Sequence, residues 1–300
     1  MVMSEKIAEV QDIKPINVVT WKDKLEAYKK RPLSLFLLIA VTLSAGITVA
    51  VLGALIIYIL ANGIMNLTPE LFAWKYTTEN VSMLPAIINT VLMTVLSLLI
   101  AVPIGICSAI YLVEYAKRGN KLVNVVRITT ETLSGIPSIV YGLFGYLMFV
   151  IAFGWGLSFF GGALTLSIMV LPMIMRTTEE ALLSVPDSYR EGSFGLGAGR
   201  LRTIFKVVLP SAVPGILSGV ILAIGRIVGE TAALIYTAGT VAEVPKNLMG
   251  SGRTLAIHMY MLSSEGLYMD QAYATAVILL VLVVAINTLS GVVAKKLTKA

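Results

Sequence analysis

Six apolar segments dominate this chain, at about 33–61, 83–113, 124–152, 162–176, 207–238 and 272–294. A helix needs roughly 20 apolar residues to cross the hydrocarbon of a bilayer, and with some interruption the segments meet that length. Composition agrees: 57% of the residues are hydrophobic, 13% are charged and the mean hydropathy is +0.87, far outside the range of soluble globular domains. The expected fold is an all-α integral membrane protein with six transmembrane helices.

Placement of charge sets the expected topology. With both termini in the cytoplasm, the inside segments hold seven, three, five and three Lys/Arg, and the outside segments hold one, none and two. Only Arg127 and Arg226 remain within spans, so the positive-inside rule selects this orientation. The net charge of +6 is thus topological, and no nucleic-acid partner is expected. Residues 1–32 are too long and too mixed in charge to begin a secretory signal peptide. They are expected to stay as a cytoplasmic arm, with 21–30 helical along the membrane surface.

Three regions depart from a plain span. The fourth segment, 162–176, is short, so it either begins within the membrane or leans on other helices. The third carries Gly135, Pro137, Gly142 and Gly145, residues tolerated at depth where neighbours or a cavity satisfy the backbone; close helix packing is the expected reason. The outer connection, 239–271, holds an apolar stretch at 255–262 that is too short to span and is expected to form an interfacial helix or a re-entrant turn.

Site chemistry is sparse. Cys107 is the single cysteine, which excludes an intrachain disulfide, and it is read as a packing residue. His258 is the single histidine, which excludes HExxH metalloprotease chemistry. No cofactor or metal site is expected, and no enzyme activity. No Walker A sequence occurs, and the glycines at 195, 197 and 199 follow no strand and precede no Gly-Lys-Ser/Thr.

The polar inner loop, 177–206, is the most informative segment. Pro186, Asp187 and Ser188 make a helix start, with Asp187 or Ser188 capping free amides and Glu191 facing the positive end of the helix dipole. A helix over about 188–194 is expected, stopped by the glycines. Chemistry alone leaves two readings: a solvated loop with snorkelling basic residues, or a docking element.

Charges within spans require partners or a function, because an arginine at mid-membrane costs about 2.5–3.5 kcal/mol on insertion scales. Arg127 and Glu131 share a helix face, as do Arg226 and Glu230. Arg127 lies near the inner end of its span and can snorkel. Arg226 lies deep. Together with Arg176 it can offer guanidinium groups to an oxyanion along a pathway, with Glu230 holding Arg226 while the site is empty.

From Arg190 the loop reads REGSFGLGAGRLRTIFKVVLP. It resembles the EAA loop of bacterial ABC-importer permeases of type I, with Glu191, Gly192 and Ser193 as the acidic and two small positions, Gly197 at its offset, and Val207, Leu209 and Pro210 at the close. Residues 134–145, 171–192, 225–239 and 251–260 are similar to the phosphate-importer permeases, the last two favouring the PstA type over the PstC type. The resemblance covers roughly residues 80–300.

It implies a permease domain over 83–294 that follows a separate first helix, with Ser188, Glu191, Gly192, Ser193, Gly197, Leu209 and Pro210 serving the contact with an ATPase. The implied partners are an ATP-binding subunit in two copies, a PstC-type permease and an extracytoplasmic phosphate-binding protein, assembled in lipid of a bacterial or archaeal cytoplasmic membrane. The implied cargo is inorganic phosphate moving inward. Other readings are a permease for molybdate or sulfate, or an ion-coupled secondary transporter.

Overall fold

A computed structural model of the chain describes Tyr28, residues 31–117 and residues 119–299. Most of the expected arm, including the surface helix over 21–30 apart from Tyr28, lies outside the described residues. The chain divides into two units, one ending at Tyr58 and the other beginning at Ile59.

In the first unit, the chain from Pro32 to Tyr58 is most of helix α1 (Pro32–Ile64). It is apolar on every face, and none of its most apolar stretch is buried, as suits a helix surrounded by lipid. Its last turn belongs to the second unit, where Gly63 lies so close to Tyr273 and Val277 that a β-carbon would collide with both.

The rest of the second unit comprises α2 (Leu84–Tyr115), α3 (Lys121–Ser134), α4 (Ser138–Ala152), α5 (Phe159–Leu183), α6 (Asp187–Gly195), α7 (Arg200–Val228), α8 (Ala232–Thr237), α9 (Leu255–Glu265) and α10 (Met269–Lys299). Helix α5 is its centre. The fourth segment is not a short span but a 25-residue helix, and it is the most buried of the apolar helices. Small residues on its neighbours explain the close fit: Gly105 of α2 meets Ile174, and Gly215 and Gly219 of α7 meet Ala181 and Thr177. Helices in lipid gain stability from such close backbone approach.

The third segment is not one straight helix. Helices α3 and α4 meet at 104°, because Pro137 holds Ile136 out of the helical region and has no N–H to continue the ladder. The Tyr141 hydroxyl donates to the Leu133 carbonyl across the bend at 2.8 Å. Packing accounts for two of the glycines, as expected: Gly142 abuts Ala233, and Gly145 abuts Thr165 and Thr237.

The fifth segment is also broken. Helix α7 stops at Val228, and Glu230 accepts a hydrogen bond from the Ala233 amide at 3.1 Å at the start of α8. Gly239 then reverses the chain with φ +85°. The outer connection closes over the starts of α2 and α5: Phe159 and Phe160 donate their amides to Gly250 and Leu248, and the Leu255 amide donates to Thr90 Oγ1. The first turn of helix α9 within it, Leu255 to His258, is buried. Cys107, read as a packing residue, is exposed on the outside of α2.

Candidate functional site

Helix α6 projects from the C-terminal end of α5, and none of its residues is buried. It spans Asp187–Gly195, one residue longer at each end than the sequence suggests, and no side chain caps it. Asp187 instead accepts from Arg190 Nη1 at 3.2 Å. Ser188, Glu191 and Gly192 are exposed, and Ser193 shares a 2.8 Å hydrogen bond with Thr203. Gly197 turns the chain with φ +81°, and Leu196 beside it is 91% exposed. A polar helix tipped with a bare leucine is suited to enter a groove.

Leu209 and Pro210 follow the loop, at the return into the bundle. They open the regular part of α7 directly after a wide π turn at Ile204–Val208. Proline supplies no N–H and clashes with the carbonyl four residues back, and a local π bulge accommodates such a misfit. Their role is therefore to shape the return into the bundle.

Arg190, missed from the sequence, fixes α6. Its Nε and Nη2 donate to Glu114 Oε1 at 3.1 and 2.8 Å, Nη2 also to the Leu182 carbonyl at 2.9 Å, and Nη1 to the Val185 carbonyl at 2.8 Å. The side chains of Arg190 and Glu114 are 14% and 9% exposed. This bond set ties α6 to the ends of α2 and α5. Nothing local announces it, because the two residues lie 76 positions apart.

The expected pairing within α3 is not made. Arg127 reaches Glu179 on α5 at 2.6 Å, while Glu131 lies 3.5 Å from Arg176. Arg176 bonds Glu180 at 3.0 Å as well. Helix α5 lies beside α3, so its carboxylates capture the arginine that the helix periodicity assigns to Glu131. Beside this belt, an open cleft of about 1030 Å³ is lined by Glu114, Lys117, Lys121, Arg127 and Arg190 among others.

The pathway residues are not brought together. The contacts of Gly215 with Ala181 and of Gly219 with Thr177 set an antiparallel register that brings Arg226 level with Val170, the middle of α5. Arg176 stands six residues away along that helix, about 9 Å at 1.5 Å per residue. The Arg226–Glu230 pair is also absent: Glu230 lies beyond the end of α7 and serves α8. Arg226 forms no ion pair among the described residues.

At the far end of α5 a second polar group gathers. The Arg253 guanidinium lies 4.5 Å from the centre of the Tyr76 ring, and Asn89 Nδ2 donates to the Arg253 and Glu243 carbonyls. His258 stands edge-on to Tyr76. Burial first, then the Arg253 charge, lower its pKa to about 3 against a weaker opposing pull from the Val81 backbone, so the ring is neutral at physiological pH.

A long, apolar, multi-helix bundle with a projecting polar helix defines a membrane transport component. Residues 101–299 match the model of the binding-protein-dependent transport system inner membrane component family, and the chain belongs to that family. It is a multi-pass inner-membrane permease component. The chain is 35% identical over 283 residues to a probable ABC transporter permease protein, YqgI, of Bacillus subtilis, covering 85% of this chain and 94% of that one. It is 35% identical over 237 residues to the phosphate transport system permease protein PstA of Pasteurella multocida, covering 76% and 82%.

Among solved structures, the chain is similar to one of the MetNI methionine ABC transporter, at TM-score 0.55 and 21% identity, over 72% of this chain and 94% of that one. It is also similar to a bacterial ABC transporter involved in the import of alginate, at TM-score 0.57 and 17% identity, over 87% and 98%. The fold is that of an ABC importer permease.

Proposed function

We propose that this chain is the PstA-type permease subunit of an ATP-driven importer that moves inorganic phosphate into the cytoplasm. The observation that carries the reading is α6: an exposed helix, clamped to two long helices through Arg190 and Glu114, can pass a push from a docked ATPase into the bundle. Phosphate as cargo draws its support from relatives named as phosphate permeases. A lone arginine at mid-bundle, Arg226, is chemistry that suits an oxyanion.

In this reading, Ser188, Glu191, Gly192, Ser193 and Gly197 face one of two ATP-binding subunits, which hydrolyse the ATP. A PstC-type permease completes the pathway, and an extracytoplasmic phosphate-binding protein delivers the cargo. Both termini lie in the cytoplasm. Phosphate meets Arg226 near mid-membrane and Arg176 nearer the cytoplasm, in sequence instead of at one shared site.

The test is reconstitution with those partners in vesicles. ATP hydrolysis should rise when phosphate-loaded binding protein is added, with phosphate accumulating inside. Stimulation by sulfate or molybdate instead would reassign the cargo, and uptake without any ATPase would favour an ion-coupled transporter. In the same vesicles, Arg226→Gln should abolish uptake while leaving assembly intact; normal uptake would remove Arg226 from the pathway.

A further inference from the structure

Nine buried side-chain polar atoms lack a hydrogen-bond partner of good geometry among the described residues, and six of them sit on four neighbouring residues: Asn89 Oδ1, Arg253 Nε and Nη2, Thr254 Oγ1, and both ring nitrogens of His258, which the Val81 backbone approaches without completing such a bond. These residues are linked. Asn89 bonds the Arg253 carbonyl, Thr254 follows Arg253, and the His258 amide donates to the Thr254 carbonyl. Folded proteins rarely leave buried polar groups unanswered, so a concentration of this kind indicates an occupant.

The chemistry of Arg253 selects the occupant. Arg253 is only 6% exposed, and it makes no ion pair among the described residues. Water can satisfy hydrogen bonds in such a place, but it leaves a permanent charge uncompensated, and an unpaired buried charge is strongly disfavoured. The Tyr76 ring covers one face of the guanidinium. The atoms left open, Nε and Nη2, are the two parallel donors of one edge, the fork that matches two oxygens of a carboxylate or phosphate. Neutral His258 and the Thr254 hydroxyl can each add a donor without adding charge.

We propose that the Nε/Nη2 edge of Arg253 is a contact for a small oxyanion, inorganic phosphate, at the end of the bundle opposite α6. The assignment deepens the reading of the chain as an oxyanion permease and rests on it. The site lies beside the loop that closes over the starts of α2 and α5, a whole helix length from the coupling helix. An anion seated there would meet Arg253 before Arg226, giving the pathway an outer station. The occupied site would neutralise Arg253, and the emptied one would leave its charge exposed to the low-dielectric interior, so tight retention and free passage are both avoided.

The experiment uses the assembled permease and ATPase complex without the binding protein, with inorganic phosphate as the probe. Arg253→Met keeps the packing on Tyr76 and removes the charge; Arg253→Lys keeps the charge and loses the fork. Millimolar phosphate should raise the melting midpoint of the wild-type complex and leave that of Arg253→Met unchanged. Without phosphate, Arg253→Met should melt at the wild-type temperature or above it, because an unpaired charge has been removed. Uptake in full vesicles should fall at least ten-fold in Arg253→Met, with Arg253→Lys between it and the wild type.

An equal phosphate shift in wild type and Arg253→Met, or normal uptake by Arg253→Met, would overturn the proposal. So would loss of a partner subunit from the Arg253→Met complex, which would assign the fork to a partner carboxylate. Wild-type vesicles that import no oxyanion would strike the permease reading, whereas the melting comparison decides Arg253 independently of transport.

Discussion

The two ends of helix α5 handle charge in opposite ways. Near its C-terminus, arginines have carboxylates: Arg190 meets Glu114 and Asp187, Arg127 meets Glu179, and Arg176 meets Glu131 and Glu180. Near its N-terminus, Arg253 has an aromatic ring and, among the described residues, no carboxylate, beside a histidine held neutral. The difference teaches where each end finishes its structure. The end that carries α6 pairs its charges within this chain, as the proposed coupling role requires, while the far end leaves charge to be answered by something that arrives.

The sharpest way to break this comparison is to undo the completed end. Arg190→Ala leaves Glu114 buried and alone, a loss of about 3–5 kcal/mol, with the anchor of α6 gone. ATPase recruitment to membranes and phosphate uptake should both collapse. Arg190→Ala combined with Glu114→Ala should recover part of the recruitment, since no buried charge remains without a partner; the double-mutant cycle measures the coupling. Independent, additive losses would mean that the pair does not hold the coupling helix.

Much of this architecture was legible in the sequence, and the failures share a cause. Apolar length located five helices long enough to cross a membrane and the bent pair α3 and α4, and Pro186 with the glycines after Phe194 located α6 to within a residue at each end. Local periodicity assigned Arg127 to Glu131 and Arg226 to Glu230. Both assignments failed because periodicity assumes an unbroken helix without competitors: Glu179 competes from another helix, and Gly229 ends α7 before Glu230 can share its face. The fourth span looked short because Arg176 and the polar residues after it close the apolar run, yet the helix continues to Leu183, and within it Thr165 and Ser167 are buried and bond carbonyls, Thr165 that of Gly161 and Ser167 those of Ser97 and Ala163. A helix walled by protein can carry polar residues that a lipid-facing helix cannot. Arg190 and Arg253 passed unnoticed as sites because a guanidinium's role depends on what lies around it.

A pH titration sharpens the contrast at the far end. His258 has a folded pKa of about 3 against an ordinary value of 6.5. Between those values the unfolded chain binds a proton that the native chain refuses, so stability present above 6.5 is lost as pH falls toward 3. The limiting slope is about 1.4 kcal/mol per pH unit for one such group. From pH 6.5 to pH 5 the melting midpoint of the solubilised complex should drop more for wild type than for His258→Gln. Equal drops would show that the ring takes up its proton as readily in the fold as in the unfolded chain, and at pH 5 the far end would then hold two cations instead of one.

The smallest expected effect belongs to the exposed surface of the coupling end. Gly192 sits within α6, where a β-carbon would meet nothing within 4 Å, so Gly192→Ala removes backbone freedom from the unfolded chain without a clash. The gain is up to about 1 kcal/mol of helix stability. Gly197 serves as the control, because its φ of +81° strains any residue with a β-carbon. Gly192→Ala should leave ATPase recruitment intact or slightly stronger, and Gly197→Ala should weaken it. If both weaken it alike, the docked ATPase approaches the Gly192 backbone too closely for a methyl group, and α6 is read by shape as well as by its anchor.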